Sequence, residues 1–272
     1  GQAKLLLQRL HAFLIAPVAD IIDDAKRLVI VPQGILHSIP FAALYDGSRF
    51  AVERYELVLQ PSSSAIAFCR GRRPRRRGEG CVVIAHTADG RLPGALDEGE
   101  GVARLFGARR LFEARATLAG AYEHLRRARL VHIAAHGQSR PDSPLFSHIR
   151  LADGQLTALD CLGLVLDCDL ITLSACETGQ AVMAAGDEPI GLTRSLLYAG
   201  ARSIVQSLWR VDDQATHHLM SDMYRRLRGG EGRAQALCSA QRAFVGETAP
   251  SGYAHPVFWA AFGLVGDWRP LQ

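Results

Sequence analysis

Two short segments carry residue types able to perform acyl-transfer chemistry: "VHIAAHG" at 131–137 and "ITLSACETG" at 171–179. A cysteine thiolate attacks a carbonyl carbon, but an ordinary thiol is mostly protonated near neutral pH and needs a base or a cationic neighbour. Cys176 is the candidate nucleophile, and His136, 40 positions earlier, is the candidate base that would later protonate a leaving amine. Gly137 has no side chain, so its N–H could approach a substrate carbonyl closely. With the N–H of Cys176 it would form an oxyanion hole, an arrangement worth about 3–4 kcal/mol per donor. Each residue also has a plainer reading. A cysteine at the end of an apolar strand is often core packing, and a histidine in such a run is often a hydrogen-bonded core residue. His132, in the same run, is read as that second case. Pattern alone leaves both readings of Cys176 and His136 open.

The elements that must position these residues follow from periodicity. "RLVIVP" (27–32), "ELVLQP" (56–61), "CVVIAHT" (81–87), "ARLVHIAAHG" (128–137), "CDLITLSAC" (168–176), "ARSIVQSLW" (201–209) and "FWAAFGLVG" (258–266) read as strands, the last closing the sheet. Residues 4–24 carry apolar side chains at helical spacing, with Pro17 as a break. "DEPIGLTRSLLYAG" reads as a helix with Asp187 as cap, Pro189 in the first turn and Gly200 at its end. "DDQATHHLMSDMYRRLRGG" repeats the arrangement, with Asp212 or Asp213 as cap and a buried stripe of Leu219, Met220, Met223 and Leu227. Alternating strands and helices imply a mainly parallel sheet covered on both faces. If the strands ending in His136 and Cys176 are parallel neighbours, both residues emerge at one sheet edge. Cys168 then lies at the far end of its strand.

Composition sets the limits. The 272 residues are 48% hydrophobic and 21% charged, with a formal charge of +4 and a mean hydropathy of +0.05. This describes a globular chain, expected to span no membrane because no apolar run approaches roughly 18 residues. The start lacks a signal-peptide core, so a cytoplasmic location is expected. The absence of an initial Met suggests a piece of a longer chain. Six cysteines without a CxxC or compact framework favour reduced thiols and give no zinc signature. Residues 70–77 hold six arginines. Without interleaved aromatics this run reads as a solvated loop, and nucleic acid is not the expected partner.

Taken in order, the segments resemble the CHAT family, caspase-like domains often found after tetratricopeptide repeats and grouped with caspases, metacaspases and separases. The resemblance rests on "LVIVPQGILHSIPFAAL" (28–44), "YELVLQPSSSA" (55–65), "LPGALDEGEGVARLF" (92–106), "ATLAGAYEHLRRARLVHIAAHG" (116–137), "DLITLSACETG" (169–179), "GDEPIGLTRSLLYAGARSIVQSLWRVDDQAT" (186–216) and "HPVFWAAFGLVGD" (255–267). It implies a caspase-type αβα sandwich, with a non-catalytic half at 1–115, an Arg-rich loop at 70–77, and a catalytic half at 116–272. It implies a Cys–His dyad, which falls on Cys176 and His136, and proteolysis of protein or peptide substrates without metal or organic cofactor. A regulatory calcium site, as in some metacaspases, has no motif here. An upstream repeat domain or regulatory partner is a further expectation.

Two departures from the relatives bear on specificity. Ser174 stands where metacaspase-like proteins carry an acidic residue, so no acidic pocket is built from that position. Asp212 and Asp213 fall in a region resembling the specificity segment of separases, which accept a basic residue before the cut bond (P1). Their alternative role is helix capping. A non-catalytic adaptor that keeps the fold for assembly is the competing functional reading. A glutaminase-like amidotransferase is a third, disfavoured because "SACETG" lacks the glycine of a nucleophile elbow.

Overall fold

A computed structural model describes residues 1–71, 80–140, 142–174, 191–246 and 249–271. Cys176, Asp187, Pro189 and the arginines at 72–77 lie outside them. The strands are β1 (Arg27–Ile30), β2 (Glu56–Leu59), β3 (Cys81–Ala85), β4 (Arg109–Phe112), β5 (Leu130–Ala134), β6 (Gly137–Gln138), β7 (His148–Arg150), β8 (Gln155–Thr157), β9 (Leu170–Leu173), β10 (Ser203–Ser207) and β11 (Phe262–Gly266). The helices are α1 (Gln2–Leu14), α2 (Ala19–Ile22), α3 (Ala51–Arg54), α4 (Ser63–Gly71), α5 (Gly94–Phe106), α6 (Leu118–Leu125), α7 (Ala158–Leu162), α8 (Leu192–Ala199), α9 (Asp213–Arg228) and α10 (Arg233–Arg242).

Eight strands form one sheet in the order β1-β2-β11-β10-β9-β5-β3-β4, and every pairing is parallel except β10–β11. β3, β5 and β9 are buried along their whole length, the signature of parallel strands covered on both faces. Successive side chains alternate between two cores. Leu130, Leu170 and Val205 join the core beneath α3, α5, α9 and α10, whereas Val131, Ile171 and Ile204 join the one beneath α6, α7 and α8. The result is an αβα sandwich. The methionine-rich stripe of α9 is core, with Leu219, Met220, Met223 and Leu227 buried.

Four features depart from the sequence reading. The last strand does not close the sheet: β11 inserts between β10 and β2, antiparallel to β10. β4, an exposed edge strand, has no long apolar run to announce it. A second sheet, β6-β7-β8, branches off just after His136. The strands of residues 1–115 stand at both edges of the main sheet, and those of 116–272 fill its middle. Within Gln2–Ile22 the most apolar 18 residues have a mean hydropathy of 1.6, and by length and composition the stretch could cross a membrane, contrary to the expectation that no run is long enough. It bends through a 3-10 turn at Ala16–Val18. Leu7, Leu10, Leu14 and Ile22 pack against the core, while Leu5, Phe13 and Ile21 are exposed.

One end of the sheet is locked by buried ions. Asp169, just before β9, meets Arg129 at 2.7 Å, Arg202 just before β10, and Arg233 of α10 at 3.6 Å. Arg233 also meets Asp267 at 3.3 Å, and Arg202 meets Asp167 at 3.0 Å. Arg202, Arg233, Asp169 and Asp267 are almost fully buried. Gly266 belongs to this end: its φ is +103°, and a Cβ there would lie 2.3 Å from the Arg202 carbonyl. Only glycine fits both constraints.

Candidate active site

The site lies at the opposite end, where β5, β9 and β10 finish together. β5 and β9 are parallel neighbours in register Ile133–Leu173, and the Ser174 N–H donates to the Ile133 carbonyl at 2.9 Å. This adjacency is what the sequence reading required of the two reactive segments. The carboxyl ends of strands are where open α/β sheets gather their ligands and chemistry. Ser174 is the last described residue of its segment, and Cys176 follows two positions later in the sequence.

His136 is half-buried at the junction where the chain leaves β5 for the small sheet. Its carbonyl accepts from the Arg150 N–H at 2.8 Å, and Gly137 is paired with Ile149 across β6–β7. In an antiparallel ladder this bond pattern makes Gly137 and Ile149 a non-hydrogen-bonded pair, so the Gly137 N–H points away from β7. Arg150 is held in turn by Asp89 at 2.7 Å. Asp89 and its neighbour Ala88 both adopt positive φ, 62° and 51°. Such non-glycine left-handed residues cost energy and cluster at functional sites.

A cavity of about 380 Å³, counted out to its mouth, opens between these strand ends and the helices α5 and α9. Ala135, Ser174 and Ser207 line it from the sheet, and Glu98, Asp213 and Thr216 line it from the helices. Ala135 directly precedes His136 in the chain. The Ser174 Oγ is buried with no hydrogen-bond partner among the described residues.

The adjacent aspartates divide their work. The Asp212 carboxylate is the N-cap of α9, accepting from the Gln214 and Ala215 N–H groups at 3.0 Å each. Asp213, one residue into the helix, lines the cavity, and its Oδ2 accepts from the Gly94 N–H at 3.0 Å. Gly94 opens α5, and the partial positive charge of a helix N-terminus favours a carboxylate there. A Cβ at position 94 would fall 2.5 Å from the Asp213 Cβ, so the approach of the two helices requires glycine.

Glu98 is a site residue that the sequence reading missed. It belongs to the buried stripe of α5 with Ala95 and Val102, and a carboxylate at such helical spacing is the signal that could have found it. Its Oε1 lies 3.1 Å from His132 Nε2. The other ring nitrogen, Nδ1, is 3.1 Å from the Tyr224 hydroxyl, which donates to Thr172 Oγ1 at 2.7 Å. Burial pushes the Tyr224 phenol well above its usual range, so it remains a donor. With its proton directed at Thr172, the tyrosine oxygen accepts from His132 Nδ1–H. The Glu98 Oε1 and His132 Nε2 approach without hydrogen-bond geometry, and each is buried with no hydrogen-bond partner among the described residues. The Tyr224 hydrogen bonds tie α9 to β5 and β9, the two strands of the reactive segments, and Glu98 of α5 packs against His132. His132 is thus a hydrogen-bonded core residue, as read from its place in the strand.

The remaining thiols differ from a nucleophile's setting. Cys69, Cys81, Cys161, Cys168 and Cys238 are all buried and outside any disulfide among the described residues. Burial pushes Cys81 and Cys161 up to about 12 and Cys238 to about 11. Cys168, at the far end of its strand, is pushed up by burial as well and donates to the Arg129 and Leu170 carbonyls. Among the described residues, no three His, Cys, Asp or Glu side chains converge in a way that could hold a metal ion.

Comparison with known proteins agrees with this geometry. The CHAT domain model matches residues 4–267. The human tetratricopeptide repeat protein 28 is 26% identical, over 97% of this chain and 13% of its own length. The mouse protein is 25% identical with the same coverage. The chain therefore spans a small fraction of these curated relatives. Among solved structures, separase in the Saccharomyces cerevisiae separase–securin complex has a TM-score of 0.63 at 12% identity, covering 88% of this chain and 16% of its own. The Arg-specific cysteine proteinase gingipain R has a TM-score of 0.60 at 10% identity, covering 98% and 67%. At such identities the likeness is one of fold. The αβα sandwich is therefore the caspase-like fold shared with separase and gingipain R, and the chain belongs to the CHAT domain family.

Proposed function

We propose that the chain is a cysteine endopeptidase that cleaves protein substrates after a basic residue. The observation that carries this reading is the parallel adjacency of β5 and β9, whose ends bring His136 and Ser174, two positions before Cys176 in the sequence, to one edge beside a cavity lined by Asp213 and Glu98. In the proposed reaction His136 takes the proton of Cys176, and the thiolate attacks the peptide carbonyl. The oxyanion is held by the Gly137 and Cys176 N–H groups. His136 then protonates the leaving amine, and water hydrolyses the thioester. The outward-turned Gly137 N–H supports its role, and the five buried cysteines leave Cys176 as the thiol suited to attack. Asp213 and not Asp212 is the carboxylate offered to a cationic side chain, because Asp212 is engaged as a cap. Residues 1–115 serve as the non-catalytic half. Buried thiols outside any disulfide fit a reducing, cytoplasmic setting.

A second reading has an observation of its own. The curated relatives are named as repeat proteins, which suits a caspase-fold adaptor in a protein assembly. One experiment separates the two. A peptide chloromethylketone with arginine at its reactive end should label Cys176, and both labelling and peptide cleavage should vanish in folded Cys176→Ala and fall nearly as far in His136→Ala. Undiminished cleavage by Cys176→Ala would refute the protease reading, and a wild-type protein that neither cuts nor labels would favour the adaptor.

A further inference from the structure

A second cavity adjoins the first. β2 and β11 share one register position, Leu59–Val265. Nearer the active end they are unpaired, and a crevice of about 430 Å³, counted out to its mouth, opens beside Gly263 and Leu264. The segment Ile39–Ala42 forms another wall, and Leu208, one residue past β10, closes the side toward the active site. Phe262 lines both this crevice and the cavity that holds Asp213. Across β10, Ser207 faces the acidic cavity while Gln206 and Leu208 line the crevice. The two cavities are thus neighbours sharing one wall.

The crevice is chemically distinct from its neighbour. Its polar side chains are Gln206 and Gln241, and both are already engaged. The Gln241 Nε2 donates to the Trp259 and Phe262 carbonyls at 3.0 and 2.9 Å, and Gln206 Oε1 accepts from Thr193 Oγ1. What is left for a ligand is apolar surface, with Ile39, Leu59 and Leu208 only partly covered. Gln241 also holds the shared wall in place through the Phe262 carbonyl. An extended peptide places side chains on the same face about 6.5–7 Å apart, and the residue common to the two cavities is Phe262.

Building on the endopeptidase reading, we infer that this crevice is a second specificity subsite, which takes an apolar side chain within three residues of the basic one. The preferred substrate class is therefore a segment pairing a Leu- or Phe-like residue with Arg or Lys, and residues 39–42 of the first half contribute to recognition.

The test is a set of fluorogenic peptides with Arg fixed before the cut bond and Leu, Phe, Gly or Asp at each neighbouring position, plus a single-residue arginine amide. At one position Leu or Phe should exceed Gly in kcat/KM by about tenfold or more, the scale set by burying one such side chain. Gly263→Ala brings a methyl group to 3.3 Å from Leu59 Cδ1, and Ile39→Asp places a charge in the lining. Each should reduce that ratio, measured within the same variant, to about threefold or less. Equal turnover of the Leu and Gly peptides at every position, or a ratio unchanged in both variants, would overturn the subsite. If folded protein cuts neither the arginine amide nor any peptide of the set, the endopeptidase reading itself fails and the subsite with it.

Discussion

Asp212 and Asp213 are neighbours in sequence, yet only one carboxylate faces the cavity, and this asymmetry makes a sharp prediction. Asp213→Asn removes the charge but keeps an oxygen for the Gly94 N–H, so the α5–α9 contact is largely retained. What is lost is the charge-assisted half of a hydrogen bond to a bound guanidinium or ammonium, about 1.5–3 kcal/mol. At 1.4 kcal/mol per tenfold this corresponds to a drop of about 10- to 150-fold in kcat/KM for Arg and Lys substrates. Substrates with Gln or Ala before the cut bond should change by less than about threefold. Asp212→Asn is the internal control: asparagine is as good an N-cap as aspartate, so neither stability nor the ratio of basic to neutral substrates should move. The assay is kcat/KM on four peptides differing only at that residue, with circular dichroism confirming both folds. A selective loss in Asp212→Asn, or an unchanged ratio in Asp213→Asn, would refute the assignment of the pocket charge.

Other predictions concern the scaffold. Asp169→Asn leaves Arg202 and Arg233 buried without their shared carboxylate, which should cost about 3–5 kcal/mol, read as a melting temperature roughly 10 °C lower. A shift under about 2 °C would contradict the ion cluster's role. Cys168→Ser keeps a hydroxyl donor for the Arg129 and Leu170 carbonyls and lies far from the site, so peptide turnover should stay within twofold of the parent. In the native parent, iodoacetamide should leave Cys168 unmodified. Burial raises the Asp267 carboxyl, but hydrogen bonds from Arg269 and the charge of Arg233 outweigh it and hold the group below its ordinary 3.8. A depressed carboxylate stabilises the fold above the unfolded value and loses that contribution as pH falls through and below it. Urea midpoints should therefore decline from about pH 4 downward, less steeply in Arg269→Gln, and equal slopes in the two proteins would count against this pairing.

Much of the architecture was legible because burial on both faces leaves a plain mark. Runs such as "LVHIA" and "LITL" alternate between two cores, so each must be a central strand, and their order along the chain suggests a parallel sheet. β11 was legible as a strand but not in its place, because its position between β10 and β2 depends on which edge the chain reaches after α10. The small sheet β6-β7-β8 was hidden by strands of two or three residues, too short for a periodic signal.

The candidate site divides along the same line. The sequence by itself offered the candidate residues, His136 with Gly137 and Cys176, each following an apolar run, since side-chain chemistry and strand periodicity are properties of local sequence. Only the tertiary structure decided that β5 and β9 are adjacent, that Asp213 faces the cavity while Asp212 caps a helix, and that Glu98 reaches His132 from another element. These are contacts between residues distant in the chain, or differences of angle between neighbours, and no local pattern encodes either. A helix rotates its side chains by about 100° per residue, so one step along the backbone separates a solvent-side cap from the lining of a cavity.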